Sequence, residues 1–224
     1  GQVVPVYILE DQIGEAKGQT PSGLQQTYAM GGASKLWLHY ALSSLQSDLQ
    51  DRLILRRGSA EQILGELIDE TGAQQVTMTR CYAPHQLKTD RNIQQKLKEK
   101  GVKVTVETGN LLWEPEQITK QDGTPYKVFT PFYRRGCLAA DPPRQPLPHA
   151  NIDFYTDKDI RSLRIEALDL KPSLNWTDEV ASKWNISETG AKTALQRFIM
   201  SDHSDGLSSY AEGRNFPSRP ATSR

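Results

Sequence analysis

Side chains able to do acid–base, nucleophilic or metal chemistry are present in this chain but are not arranged for it. His39, His85, His149 and His203 are scattered, and no GxSxG elbow or Ser-His-Asp order accompanies them. Glu66 and Glu70 stand four residues apart in a stretch of helical periodicity, a spacing that places both on one solvated face. Cys81 and Cys137 form no CxxC pair and have no histidine partner at metal-ligand spacing, so both read as ordinary thiols. Gly31-Gly32 lacks the spacing of a Walker loop or a GxGxxG turn and reads as a loop glycine pair. These patterns assign no catalytic residue and no metal ligand.

The elements that would position any site follow from periodicity. Val3 to Leu9 is a short, continuously apolar run suited to a strand covered on both faces of a parallel sheet, with Pro5 weakening the ladder. Ser34 is placed to cap a helix carrying Leu36, Trp37, Tyr40, Ala41 and Leu45. Leu53 to Leu55 is a second strand, and Ser59 with Gln62 forms a capping box for a helix that Gly72 closes. Val76 to Thr79 is a third strand, a charged helix spans about 90–100 with Ile93 and Leu97 inward, and Val102, Val104 and Val106 mark a fourth strand. Strands alternating with helices predict an α/β fold, Rossmann-like, with a parallel sheet and flanking helices.

Beyond Asn110 the pattern changes to a hairpin-like stretch with a Gln121-Asp122-Gly123 turn, then a short helix opened by Thr130-Pro131. Residues 139–176 are rich in proline and polar residues and read as an ordered linker over a surface. Ser187 caps a last helix whose apolar face holds Ala191, Ala194, Leu195, Phe198 and Ile199.

Lysine plus arginine and aspartate plus glutamate both number 27, so net charge marks neither a strongly basic nucleic-acid binder nor an acidic tail. Mean hydropathy is −0.60, consistent with long solvated connections beside a compact core. No apolar run is long enough to cross a bilayer and no signal-peptide pattern opens the chain, so the expectation is a soluble protein of the cytoplasm.

Two segments are specific. Gly109-Asn110-Leu111-Leu112-Trp113-Glu114-Pro115, continuing to Tyr126-Lys127-Val128-Phe129-Thr130-Pro131-Phe132, resembles the photolyase and cryptochrome family, where a strand-end loop leads through such a hairpin into a short helix. Tyr210-Ala211-Glu212-Gly213-Arg214-Asn215-Phe216-Pro217, ending in Thr222-Ser223-Arg224, is similar to the opening of that family's flavin domain in residue type and interval. The resemblance implies that Tyr210, Thr222, Ser223 and Arg224 touch FAD and that Arg214 faces a DNA phosphate. Hydroxyls and a guanidinium suit phosphate oxygens.

The resemblance further implies an organisation: an antenna-type α/β domain over 1–138, an interdomain linker over 139–186 and the start of an all-α FAD-binding domain over 187–224. The family's first strand and its loop are not found before Val3, which matches the second strand. A separation is therefore expected between the strand at Val3 and that at Val76. In folate-using members an Asn-Glu pair follows the third of the strands seen here, and those positions fall on His85 and Gln86. The neutral amide of Gln86 accepts only part of the hydrogen bonds a carboxylate would, which disfavours folate and leaves a deazaflavin, another flavin or no antenna chromophore.

The activity implied is that of a light-driven lyase, a monomer, splitting cyclobutane pyrimidine dimers in UV-damaged DNA by electron transfer from photoexcited reduced FAD. The flavin-ring residues lie outside this sequence in the family pattern, so the fragment alone is expected to be inactive. The alternative is a cryptochrome, a blue-light sensor with the same flavin and no repair. A third reading, an α/β electron-transfer flavoprotein subunit, is opposed by the Tyr210-to-Arg224 segment.

Overall fold

The computed structural model describes residues 1–10, 30–148, 150–157, 159–200 and 206–213. In chain order its first elements are β1 (Val6–Leu9), α1 (Gly32–Asp48), β2 (Ile54–Arg57), α2 (Ala60–Thr71), β3 (Gln75–Thr79), α3 (Pro84–Glu99) and β4 (Lys103–Glu107). Then come α4 (Phe129–Pro131), α5 (Trp176–Lys183), α6 (Glu188–Met200) and α7 (Tyr210–Gly213). The chain divides into two compact units, one of Gly1–Gln2 with Ser59–Asp153 and one of Val3–Gly58 with Phe154–Arg224.

In the second of these, β1 and β2 run parallel, Val6 opposite Ile54 through Leu9 opposite Arg57. The strand read from Val3 is interrupted at Pro5, which has no N–H to give: Val3 makes only an isolated bridge to Phe154. Backbone groups of Leu55 not used by β1 are satisfied by the segment after Phe154. Leu55 N–H donates to Ser162 Oγ at 2.9 Å, and Leu163 N–H donates to the Leu55 carbonyl at 2.8 Å. That segment closes the core as well as the edge. Leu42, Leu53, Leu55, Leu168 and Leu170 are buried together, with Tyr7, Leu9, Leu38, Leu49, Leu163 and Ile165 packed around them. The proline-rich stretch thus contributes two leucines to a core besides connecting elements.

Helix α1 begins at Gly32 with Gly31 as its N-cap, not at Ser34. Ser34 falls inside the first turn, and Trp176 and Pro172 pack beside Gly32. Helix α6 starts as its sequence indicates, since Gly190 N–H donates to Ser187 Oγ at 2.8 Å. Its apolar face is not all inward. Phe198 meets Tyr210 edge-on, whereas Leu195 and Ile199 stand half exposed, with nothing among the described residues covering them.

In the other unit β3 and β4 are parallel, Gln75 opposite Lys103 through Thr79 opposite Glu107. Among the described residues each strand pair forms its ladder within its own unit. Ile93, Leu97 and Val102 are buried with Ala60, Leu64, Ile68, Val76 and Val104 packed around them. Lys96 pairs with Glu61, and Lys100 with Asp69 at 3.2 Å, across the exposed rim of the α2–α3 contact. Ser59 caps α2, but Gln62 turns its amide to Glu66 instead of completing the box. Gly72 ends α2 in the left-handed conformation, φ 70°.

Helix α3 starts at Pro84, six residues before its first expected position near Asp90. Proline at the first helical position has no N–H to leave unsatisfied and a φ already helical, so the charged stretch is nucleated early. The Asp122-Gly123 turn is present, with Gly123 at φ 76° and a single antiparallel bridge from Thr119 to Pro125. The following short helix opens at Phe129, one residue ahead of Thr130, and continues as a π-turn over Phe132–Gly136. Gly136 is buried, and a Cβ there would stand 2.7 Å from Ile118 Cγ2 and 3.2 Å from Tyr126 Cε2. Cys81 and Cys137 are free thiols, as expected. No described helix is long and apolar enough to cross a membrane.

Two substitutions test this packing. Leu55→Ala, at a fully buried position, lowers the unfolding free energy by about 2–5 kcal/mol in a denaturant titration. Gly136→Ala costs about 1–3 kcal/mol in the same assay, because Ile118 and Tyr126 must shift.

Candidate functional site at the carboxyl ends of β3 and β4

Parallel strands deliver their carboxyl ends to one edge, which is where open α/β sheets place ligand-binding loops. Two loops leave that edge here: 80–83, which runs into α3, and 108–114, which follows β4. Gly109 permits the second to fold back, since a Cβ on it would lie 2.6 Å from Thr79 Cγ2.

Glu114 ties the loops together. Its Oε1 accepts the Tyr82 hydroxyl at 2.8 Å and the Thr108 hydroxyl at 2.6 Å, while Oε2 faces Arg80 Nη1 at 3.4 Å. Its backbone N–H donates to Gln117 Oε1 at 2.7 Å, completing a capping box at the 3-10 turn Pro115–Gln117. Arg144 donates to the Thr108 carbonyl, and Trp113 Nε1 donates to the Asp141 carbonyl at 2.8 Å. The Glu114 side chain is 17% exposed, against 42% for Arg80, so the carboxylate is largely shielded and its cation faces water.

Charge follows from these contacts. The Thr108 hydroxyl foremost, with Tyr82 and Arg80 adding to it, holds the Glu114 carboxyl below its ordinary range against the opposing effect of desolvation. Burial, then the bond to Glu114, pushes the Tyr82 phenol up. Burial and the nearby charge of Asp90 raise the Cys81 thiol, which disfavours the reactive thiolate. No cluster of three metal-ligating side chains occurs among the described residues.

The structure places the expected site residues unevenly. His85 and Gln86 occupy the first turn of α3, directly after the loop that Glu114 holds, so they lie on a helix and not in a loop; Gln86 is half-buried. Tyr210 opens α7 in the other unit, its ring edge-on to Phe198 with centroids 5.6 Å apart. It is 36% exposed. Arg214, Thr222, Ser223 and Arg224 lie outside the described residues. Arg80, Tyr82 and Thr108 were not singled out from sequence, and Glu114 appeared only as part of the Gly109-to-Pro115 segment, with no role given. The available signal was Arg80 and Thr108, polar residues standing immediately past the ends of two parallel strands.

The Glu114 contacts predict a pH dependence. A carboxyl depressed by folding stabilises above its unfolded pKa, about 4.3 for glutamate, and that contribution is lost as pH falls through the folded value. The expected result is that wild type melts above Glu114→Gln at pH 7 and that the gap shrinks steadily below about pH 4.3. A gap constant with pH would contradict it.

The family model described as DNA photolyase matches residues 1–150. A deoxyribodipyrimidine photo-lyase of Agrobacterium fabrum is 37% identical over 229 residues, covering 100% of this chain and 43% of the relative. Cryptochrome-2 of Arabidopsis thaliana is 29% identical over 142 residues, 62% of this chain and 21% of that protein. Among solved structures, a bacterial class III photolyase from Agrobacterium tumefaciens superposes with a TM-score of 0.77 at 36% identity, over 99% of this chain and 43% of that one. The chain spans less than half the length of these relatives. With a family match over residues 1–150 and a TM-score of 0.77 to a photolyase at 36% identity, this chain belongs to the DNA photolyase family.

Proposed function

We propose that this chain is part of a light-dependent DNA lyase that splits cyclobutane pyrimidine dimers, and that it contributes the antenna-type α/β portion, the linker and the first helices of the flavin-binding portion. The observation that carries the reading is the level of identity: a photo-lyase is 37% identical over the whole chain, whereas a cryptochrome of Arabidopsis thaliana is 29% identical over 62% of it and a Synechocystis cryptochrome structure that covers 96% of it is 21% identical. The domain divisions at 138 and 186 belong to this reading, as does a monomer working in the cytoplasm.

Reduced FAD, when bound, supplies the light-driven electron, and the protein supplies position and exclusion of water. Tyr210, Thr222, Ser223 and Arg224 would hold FAD. Tyr210, partly exposed and edge-on to Phe198, would offer its hydroxyl or ring to the cofactor. Arg214 would contact a DNA phosphate by a charge-assisted hydrogen bond. His85 and Gln86 would face an antenna chromophore, with the Gln86 amide favouring one other than folate. The chain spans 43% of the photo-lyase it resembles, so the assay for repair uses the longer protein.

The decisive assay uses the full-length protein, reduced, with dimer-containing DNA in blue light and in darkness. Loss of dimers in light alone is expected; no loss, or loss equal in the dark, returns the reading to the light sensor. In the same protein Arg214→Ala weakens DNA binding across sequences and reduces the slope of log K against log salt by about 0.9, the value of one phosphate contact. An unchanged slope would remove Arg214 from the interface.

A further inference from the structure

We infer that Glu114 is a positioning residue for the first turn of α3, holding the segment that bears His85 and Gln86 at the angle an antenna chromophore requires. This rests on the reading above, in which that turn faces the chromophore. The loop from β3 to α3 is only Arg80-Cys81-Tyr82-Ala83. Two of its four residues, Arg80 and Tyr82, are tied to the same carboxylate, and Tyr82 lies two residues before Pro84. A loop this short transmits the position of its side chains to the helix behind it, and Pro84 removes one of the dihedral freedoms that could absorb a shift.

The third partner gives the carboxylate its leverage. Thr108 stands one residue past β4, so the Glu114 oxygens connect the ends of both strands and define where α3 enters relative to the ladder. Bonds to an ionised acceptor are stronger than neutral ones, and the 2.6 Å contact from Thr108 has the short length expected of one. Glu114 is itself anchored by the capping box with Gln117 and therefore acts from a fixed point. A binding group fares best when its support is locked in this way. Glu114 has two oxygens and three side-chain partners, so its part is to orient, and contact with a chromophore falls to the residues it orients.

The test uses full-length protein with FAD bound, titrated separately with 5,10-methenyltetrahydrofolate and with 8-hydroxy-5-deazaflavin. Chromophore fluorescence reports binding, and flavin absorbance reports FAD per chain. For whichever chromophore the wild type retains, Glu114→Ala is expected to weaken retention about tenfold, the loss of a hydrogen bond to a charged group. FAD per chain stays at the wild-type value. Glu114→Gln, which keeps an acceptor for Tyr82 and Thr108, recovers most of the retention. Tyr82→Phe, a smaller change less prone to misfold, shifts it the same way by a lesser factor. Wild-type retention in Glu114→Ala, or chromophore and FAD lost in equal proportion, would overturn the positioning role while leaving the lyase reading standing. A wild type that retains neither chromophore would overturn the antenna assignment of His85 and Gln86 and this inference with it.

Discussion

Two parallel strands cannot be joined by a tight turn, and much of this chain follows from that constraint. The return from the end of one strand to the start of its neighbour needs a crossover, here helical, which brings an apolar helix face down on the sheet. In the unit containing β3 and β4 the return is α3, whose Ile93 and Leu97 meet Val102. The same constraint sends both carboxyl ends to one edge, where the chain must leave in loops. Those loops carry the polar residues that Glu114 gathers.

A two-stranded ladder also leaves backbone groups without strand partners. For β1 and β2 the remedy comes from far along the sequence: Ser162 and Leu163 complete the hydrogen bonding of Leu55, and Leu168 and Leu170 lie beside it in the core. A proline-rich segment is suited to this work, because it can satisfy an edge at chosen points without adding another full-length strand.

The sequence made the α/β alternation legible because strands of four or five residues and helices of twelve to seventeen leave distinct periods, and Gly72 and Ser187 mark their ends by requirements of backbone and hydrogen bonding. It misplaced starts where two signals compete. Ser34 looked like a cap, yet Gly31 takes that role; Pro84 was the better sign of where α3 begins. Leu168 and Leu170 could not be recognised as core residues, because burial there depends on strands more than a hundred residues away. Glu114 escaped for the same reason: Arg80 and Tyr82 lie 34 and 32 positions from it, and no local period connects them. Tyr210 of the second motif opens α7, and the Thr222-Ser223-Arg224 segment lies outside the described residues.

If, as proposed, this chain opens the flavin site of a light-driven DNA lyase, the most direct measurement is a crystal structure of the full-length protein with reduced FAD. Cofactor density is then expected in contact with Tyr210 and with the Thr222-Ser223-Arg224 segment, and Arg214 on a surface open to a phosphate backbone. Flavin density remote from all four cofactor residues, or full-length protein that binds no flavin, would contradict it.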